Sequence, residues 1–264
     1  MSSQPLTTLL LSTFTSSFHR ATTHPFLRLA GQGKISKKVL SEWLSQDRLY
    51  AQAYLRFIGL LLSKVVIPPR NPDSGRPRQP TTEQRVFDVL VDALTNIQRE
   101  LRFFDSVAEE FGLDVTALPR EDEGWAVFGP RCVTRAYIDL FMSAASPGSS
   151  LLEGMCVLWA TEHCYLRAWQ YAREQMEQRA ADPSGKADAD ADADADGGAL
   201  RLRFIPNWTC REFEDFVAKL REVVDEMGGR IKGAEEGERE RGKCLGWWKQ
   251  VLWAEERFWP DVEA

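Results

Sequence analysis

The sequence predicts an all-helical fold. Apolar residues recur at spacings of three and four in almost every ordered stretch, and no stretch sustains the strict alternation of apolar and polar residues that marks a half-buried strand. Helix punctuation agrees: Thr81 with Gln84 and Thr209 with Glu212 have capping-box spacing, while Ile67-Pro68-Pro69, Gly112 and Pro147-Gly148 are stops.

Taken in order, the first helix is expected over residues 5–20 and a second, long one over 36–66, ended by the prolines. The third opens at Thr81, carries Phe87, Leu90, Leu94, Ile97, Leu101 and Phe104 on one stripe, and stops at Gly112. Helices over 130–145 and 150–180 follow. A run in which Ala alternates with Asp then buries almost nothing and repels itself, so residues 182–200 are expected to be a disordered insertion, a spacer whose loss costs little stability. The capping pair at Thr209 opens a helix to about residue 227, stopped by Gly228-Gly229, and the last helix covers about 240–259. Neither side of the insertion offers a complete bundle, so residues 1–264 read as a single domain.

Composition narrows the function. With 44% hydrophobic and 27% charged residues the chain is an ordinary globular one. A formal charge of -6 argues against nucleic acid, whose binders concentrate Lys and Arg. Nothing resembles a secretion signal, and no apolar run approaches the roughly 20 residues of a membrane helix, so neither membrane insertion nor export is expected. Five cysteines, an odd number without a CxxC pair, suit reduced thiols and a cytoplasmic setting.

Three acids stand where apolar residues belong. Leu40, Trp43, Asp47, Tyr50, Tyr54, Phe57 and Leu61 share one helix face, and Asp47 lies inside it. Glu162 interrupts Met155, Leu158, Tyr165 and Trp169 in the same way, and Glu255 interrupts Leu245, Trp248, Leu252 and Phe258, whereas Glu256 points about 100° away. A carboxylate in low dielectric costs several kcal/mol unless paired or hydrogen-bonded. Each acid alone could be a stripe-edge residue or the partner of a buried Arg; three together point to one shared polar pocket. Tyr50, Tyr54, Tyr137 and Tyr165, each of which could equally be core packing, would give it aromatic walls suited to a flat heteroaromatic ligand.

Thr23-His24-Pro25-Phe26 followed by the QDxxY run Gln46-Asp47-Arg48-Leu49-Tyr50 resembles the opening of the TenA/thiaminase II (TENA/THI) family. Ala136-Tyr137, the stretch from Trp208 to Phe213 and Glu255-Glu256-Arg257-Phe258-Trp259 follow in that family's order. The resemblance implies the heme-oxygenase-like helical bundle. It also implies hydrolysis of an aminomethyl or formylaminomethyl pyrimidine for vitamin B1 salvage, with no cofactor, a small-molecule aminopyrimidine as ligand, and association into homo-oligomers. Carried over by motif, Asp47 would hold the ring nitrogen and exocyclic amine beside Tyr50, Tyr137 would form wall, Glu255 would be the general acid/base and Phe258 would pack on the ligand. One branch of the family uses a Cys nucleophile after a Pro. Here Cys156 lacks that Pro and lies about 120° from Glu162, so the chain looks more like the branch in which a Glu, here Glu162 within Glu162-His163-Cys164-Tyr165-Leu166-Arg167-Ala168-Trp169, takes that place.

Other chemistries lack their residues. His19, His24 and His163 are scattered, with no Glu-x-x-His pair, so no metal is expected. Heme on His19 would rest on fold analogy alone, and an oxidase related to pyrroloquinoline quinone synthase would need more pocket His and Arg. A hydrolase and a non-catalytic pyrimidine-binding protein of the same fold both remain open.

Overall fold

A computed structural model describes residues 4–69, 79–116, 128–181, 194–231 and 233–262, and contains no strand among them. The order is α1 (Leu6–Leu11), α2 (Thr15–Thr22), α3 (Pro25–Gly31), α4 (Lys37–Leu62), α5 (Thr82–Phe111), α6 (Cys132–Ala144), α7 (Leu151–Ala180), a π-helical turn (Leu200–Phe204), α8 (Ile205–Trp208), α9 (Arg211–Gly229) and α10 (Ala234–Phe258). α7 lies at the centre, packed against α10, α3, α9 and α2, while α4 packs against α5 and α6. Every residue of α7 from Leu152 to Thr161 is buried. A helix apolar all round has to be covered on all sides, which accounts for its position. Gly154 lets α7 meet α4 closely, because a Cβ there would overlap Leu61.

Several helix ends follow from the sequence. Thr81 and Gln84 form the reciprocal capping box, and Gly112 closes α5 in the left-handed conformation at φ 63°, which only glycine adopts without cost. Ser150 and Glu153 make a second capping box at the start of α7.

Three expectations need correction. The helix foreseen over 5–20 is two helices, α1 and α2, broken where Phe14 takes a left-handed φ of 56°, unusual for a side chain with a Cβ. Thr209 and Glu212 form no capping box: α9 is capped at Cys210 without a side-chain bond, and the Thr209 hydroxyl instead donates to the Ile205 carbonyl at 2.7 Å, closing α8. α9 outlasts its expected end near residue 227 by two residues, taking in Gly228 and stopping at Gly229; Gly228 sits against Leu6 of α1.

The insertion expected over 182–200 is ordered in its last part, while 182–193 lie outside the described residues. Asp194 is buried and paired with Arg179 at 2.7 Å and Arg201 at 2.8 Å. Asp196, fully buried, accepts from the backbone N–H groups of Gly198 (2.9 Å) and Leu200 (2.7 Å), fixing the entry to the π-helical turn. The alternating acids at this end are therefore partners for two arginines and two backbone donors, and residues 194–200 are part of the fold.

Candidate functional site

α4, α5, α7, α8 and the start of α9 enclose a cavity of about 310 Å³. Its lining includes Asp47, Tyr50 and Tyr54 from α4, Ala93, Ile97, Arg99, Glu100, Phe103 and Phe104 from α5, Glu162 and Tyr165 from α7, Asn207 and Trp208 from α8, and Glu212, Phe213 and Phe216 from α9. Such a volume, aromatic walls and a few convergent polar groups suit one small planar ligand. Arg99 and Glu212 pair at 3.8 Å where the cavity meets solvent; both are largely exposed, so the pair adds little to stability.

Each acid is held by neighbours. The Tyr165 hydroxyl donates to Asp47 Oδ2 at 3.2 Å. Asp47 is buried, and burial, with the nearby charge of Glu100, raises its pKa well above the usual carboxylate value. A protonated carboxyl can donate to a ring nitrogen while its carbonyl accepts from an adjacent amine, the pattern a 2-amino- or 4-aminopyrimidine presents. Burial pushes Glu162 up to about 7, against a hydrogen bond from Tyr54 that favours its ionised form. What surface Glu162 retains is turned to the cavity it lines.

Glu255 sits deeper. It is buried, accepts from the Tyr137 hydroxyl at 2.5 Å, and is pushed up to about 8 by burial. It does not line the cavity, and neither do Tyr137 and Phe258. Those two rings pack on Tyr50, Tyr137 edge-on at 5.0 Å between centroids and Phe258 at 5.8 Å, so they form a layer behind the wall. Of the residues singled out in the sequence, Asp47, Tyr50, Tyr54, Glu162 and Tyr165 thus meet around one space, with Glu255, Tyr137 and Phe258 one layer behind.

Cys156 is buried, 3.9 Å from the Cys244 carbonyl, and away from the cavity. Its contact with Cys244, together with burial, raises its thiol pKa well above the ordinary value, the reverse of what a nucleophilic thiolate needs.

Sequence reasoning missed Glu100. Its carboxylate accepts from Trp208 Nε1 at 2.5 Å and Asn207 Nδ2 at 3.2 Å, and burial pushes its pKa up to about 7. The signal was present: Leu90, Ala93, Ile97, Glu100, Phe104 and Val107 keep the three-and-four spacing along α5. Tracing the stripe through Leu101 concealed it.

No group of three or more His, Cys, Asp and Glu side chains among the described residues is arranged to hold a metal ion. Nor is any of their helices long and apolar enough to cross a membrane.

No protein-family model matches the chain. It is 30% identical over 261 residues to a protein of Fusarium pseudograminearum described as a probable transcription factor, covering 92% of this chain and 49% of that one. It is 21% identical over 158 residues to a probable bifunctional TENA-E protein of Glycine max, covering 60% and 59%. The chain therefore spans about half the length of the curated relatives it matches. Among solved structures, a TenA homologue from Pyrococcus furiosus superposes with a TM-score of 0.69 at 22% identity, over 96% of this chain and 98% of that one. The likeness to TenA read from His24-Pro25-Phe26 and Gln46-Asp47 thus extends to the whole fold, which is the heme-oxygenase-like helical bundle of the TenA homologues.

Proposed function

We propose that this chain, which has the fold of the TenA homologues, is an aminopyrimidine hydrolase of vitamin B1 pyrimidine salvage, acting on an aminomethyl or formylaminomethyl pyrimidine by carboxylate chemistry. The observation that carries the reading is the cavity itself, in which Asp47, Glu100 and Glu162 converge among Tyr50, Tyr54, Tyr165 and Trp208. Asp47 would clasp the ring nitrogen and amine, with the aromatic walls on the ring faces. Glu162, with a pKa about 7, would take a proton from water as its oxygen attacks the exocyclic methylene of the protonated aminomethyl compound; the C–N bond breaks and its ammonium leaves as neutral ammonia, giving the hydroxymethyl pyrimidine. For the formyl derivative the same water would attack the amide carbon and Glu162 would return the proton to the departing nitrogen, releasing formate and the aminomethyl pyrimidine. Glu255, protonated below about pH 8, acts from behind Tyr137 as a proton reservoir rather than by touching the ligand. Five free cysteines fit a reducing, cytoplasmic setting.

The name of the Fusarium relative, a probable transcription factor, motivates a second reading: a module that binds the pyrimidine and turns nothing over.

Both readings require Asp47. Asp47→Ala should weaken hydroxymethyl pyrimidine by about 1–3 kcal/mol, the range for the loss of two neutral hydrogen bonds, as measured by calorimetry. Asp47→Asn should lose less, because its amide reproduces the donor and acceptor of the protonated acid. Full affinity in the Ala variant would remove Asp47 from the site.

A further inference from the structure

We propose that Glu100 is the specificity residue of the cavity, selecting a ligand that bears a protonated amine over a neutral ligand of the same shape. This deepens the pyrimidine reading and rests on it.

Glu100 faces the cavity rather than solvent, since Ala93, Ile97 and Phe104 on the same stripe of α5 line it too. Its carboxylate is held still: Trp208 and Asn207, both on α8, each donate to one of its oxygens. A carboxylate has about four acceptor positions, so two remain for a ligand. α8 is itself placed by the π-helical turn before it, at Leu200–Phe204. The register break shows at Ile205, whose backbone N–H donates to the Leu200 carbonyl five residues back. Such π turns recur at functional sites.

Charge gives the direction of selection. The cavity lining holds the carboxyls of Asp47, Glu100 and Glu162, together with that of the exposed Glu212. Among the described lining residues the cation is Arg99, which pairs with Glu212 and donates to Asn96 Oδ1 at 2.7 Å in its exposed position. The carboxyls of Asp47, Glu100 and Glu162 thus outnumber Arg99, the one cation among the described lining residues, whose charge favours ionised Glu100 but which is itself paired with Glu212.

A merely structural role, stapling α8 to α5, explains the two hydrogen bonds but not the charge. A neutral Gln could accept from Trp208 or Asn207 through its carbonyl oxygen without the cost of desolvating an anion, at the loss of the second hydrogen bond. A bound ammonium offsets that cost, and it would draw back down the pKa that burial has raised to about 7.

The test compares two pyrimidines of nearly equal shape: the aminomethyl compound, with its amine protonated near neutral pH, and the neutral hydroxymethyl compound. Calorimetry in a Glu162→Gln background slows turnover. With Glu100 present, the aminomethyl compound is expected to bind at least about tenfold more tightly, as a charge-assisted hydrogen bond allows. Adding Glu100→Gln should bring that ratio to within about twofold of unity and leave hydroxymethyl affinity unchanged within about twofold. Glu100→Asp keeps the anion and should retain part of the preference, an outcome a steric role does not give; it also serves if Glu100→Gln folds poorly. A preference that survives Glu100→Gln, or a loss of affinity equal for both ligands, overturns the assignment and leaves Glu100 a staple for α8. Tight binding of both compounds with no preference at any stage also overturns it while sparing the pyrimidine reading. Failure of both compounds to bind the unsubstituted protein overturns both readings.

Discussion

Glu162→Gln should lower turnover of the aminomethyl pyrimidine by about 10²–10⁴-fold, the usual contribution of a general acid or base. The amide matches the carboxyl in shape and still accepts from Tyr54, so the cavity should keep its form and its affinity for hydroxymethyl pyrimidine. The companion substitution is Cys156→Ser, which should retain most activity: the thiol is buried against the Cys244 carbonyl, outside the cavity lining. Steady-state rates of the two variants settle the matter. Activity lost in Cys156→Ser and kept in Glu162→Gln would move the chemistry to the thiol. The pH profile adds a second readout. With Glu162 at about 7, activity should rise through that pH as the base ionises, and the rising limb should be absent from the residual activity of Glu162→Gln.

Glu255→Gln should make the protein more stable at pH 9 by an amount on the order of 3–5 kcal/mol, and no more stable at pH 4. The sign follows from the raised pKa. Below about 4.5, the ordinary Glu value, the carboxyl is protonated in folded and unfolded chains alike and contributes no difference. Between 4.5 and about 8 the unfolded chain ionises and the folded one does not, so the folded state loses stability as pH rises. Above 8 the buried charge exists in both states and the penalty is complete. Gln keeps an acceptor for Tyr137 and never ionises, so its advantage should appear across that interval in urea unfolding curves taken at several pH values. An advantage equal at pH 4 and pH 9 would mean that Glu255 is not a buried titrating acid. The gain in stability should come with a loss of activity, the exchange expected where a site holds charges that the fold alone would reject.

Both effects rest on a site that was partly legible in the sequence. Asp47, Glu162 and Glu255 could be found because a helix face has a fixed period, and an acid inside an apolar stripe breaks it. The same rule reaches Glu100 once the stripe on α5 is drawn through Ala93 and Ile97 rather than Leu101. What periodicity cannot convey is depth. Glu255 and Glu162 look alike along their helices, yet one lies behind Tyr137 and the other opens on the cavity, a distinction made by how α10, α6 and α7 pack. Helix ends were legible where one local interaction decides them, as with Thr81 and Gln84 or the left-handed Gly112. They were not where tertiary contacts prevail. The break at Phe14 involves no glycine, Gly228 continues α9 against α1, and Thr209 turns its hydroxyl back to α8. The acids at 194 and 196 looked like solvated repeats because their partners, Arg179 and Arg201 and the backbone of residues 198 and 200, cannot be read from an alternating Ala/Asp pattern.

The measurement that bears most directly on the account is incubation of the unsubstituted protein with thiamin, the aminomethyl pyrimidine and its formyl derivative, followed by separation and quantitation of hydroxymethyl and aminomethyl pyrimidines. Product is expected from the aminomethyl or formylaminomethyl compound, and about 10²–10⁴-fold more slowly with Glu162→Gln. Tight binding of these compounds without product would make the cavity a binding site and contradict the hydrolase, and absence of both binding and product would contradict the pyrimidine assignment altogether.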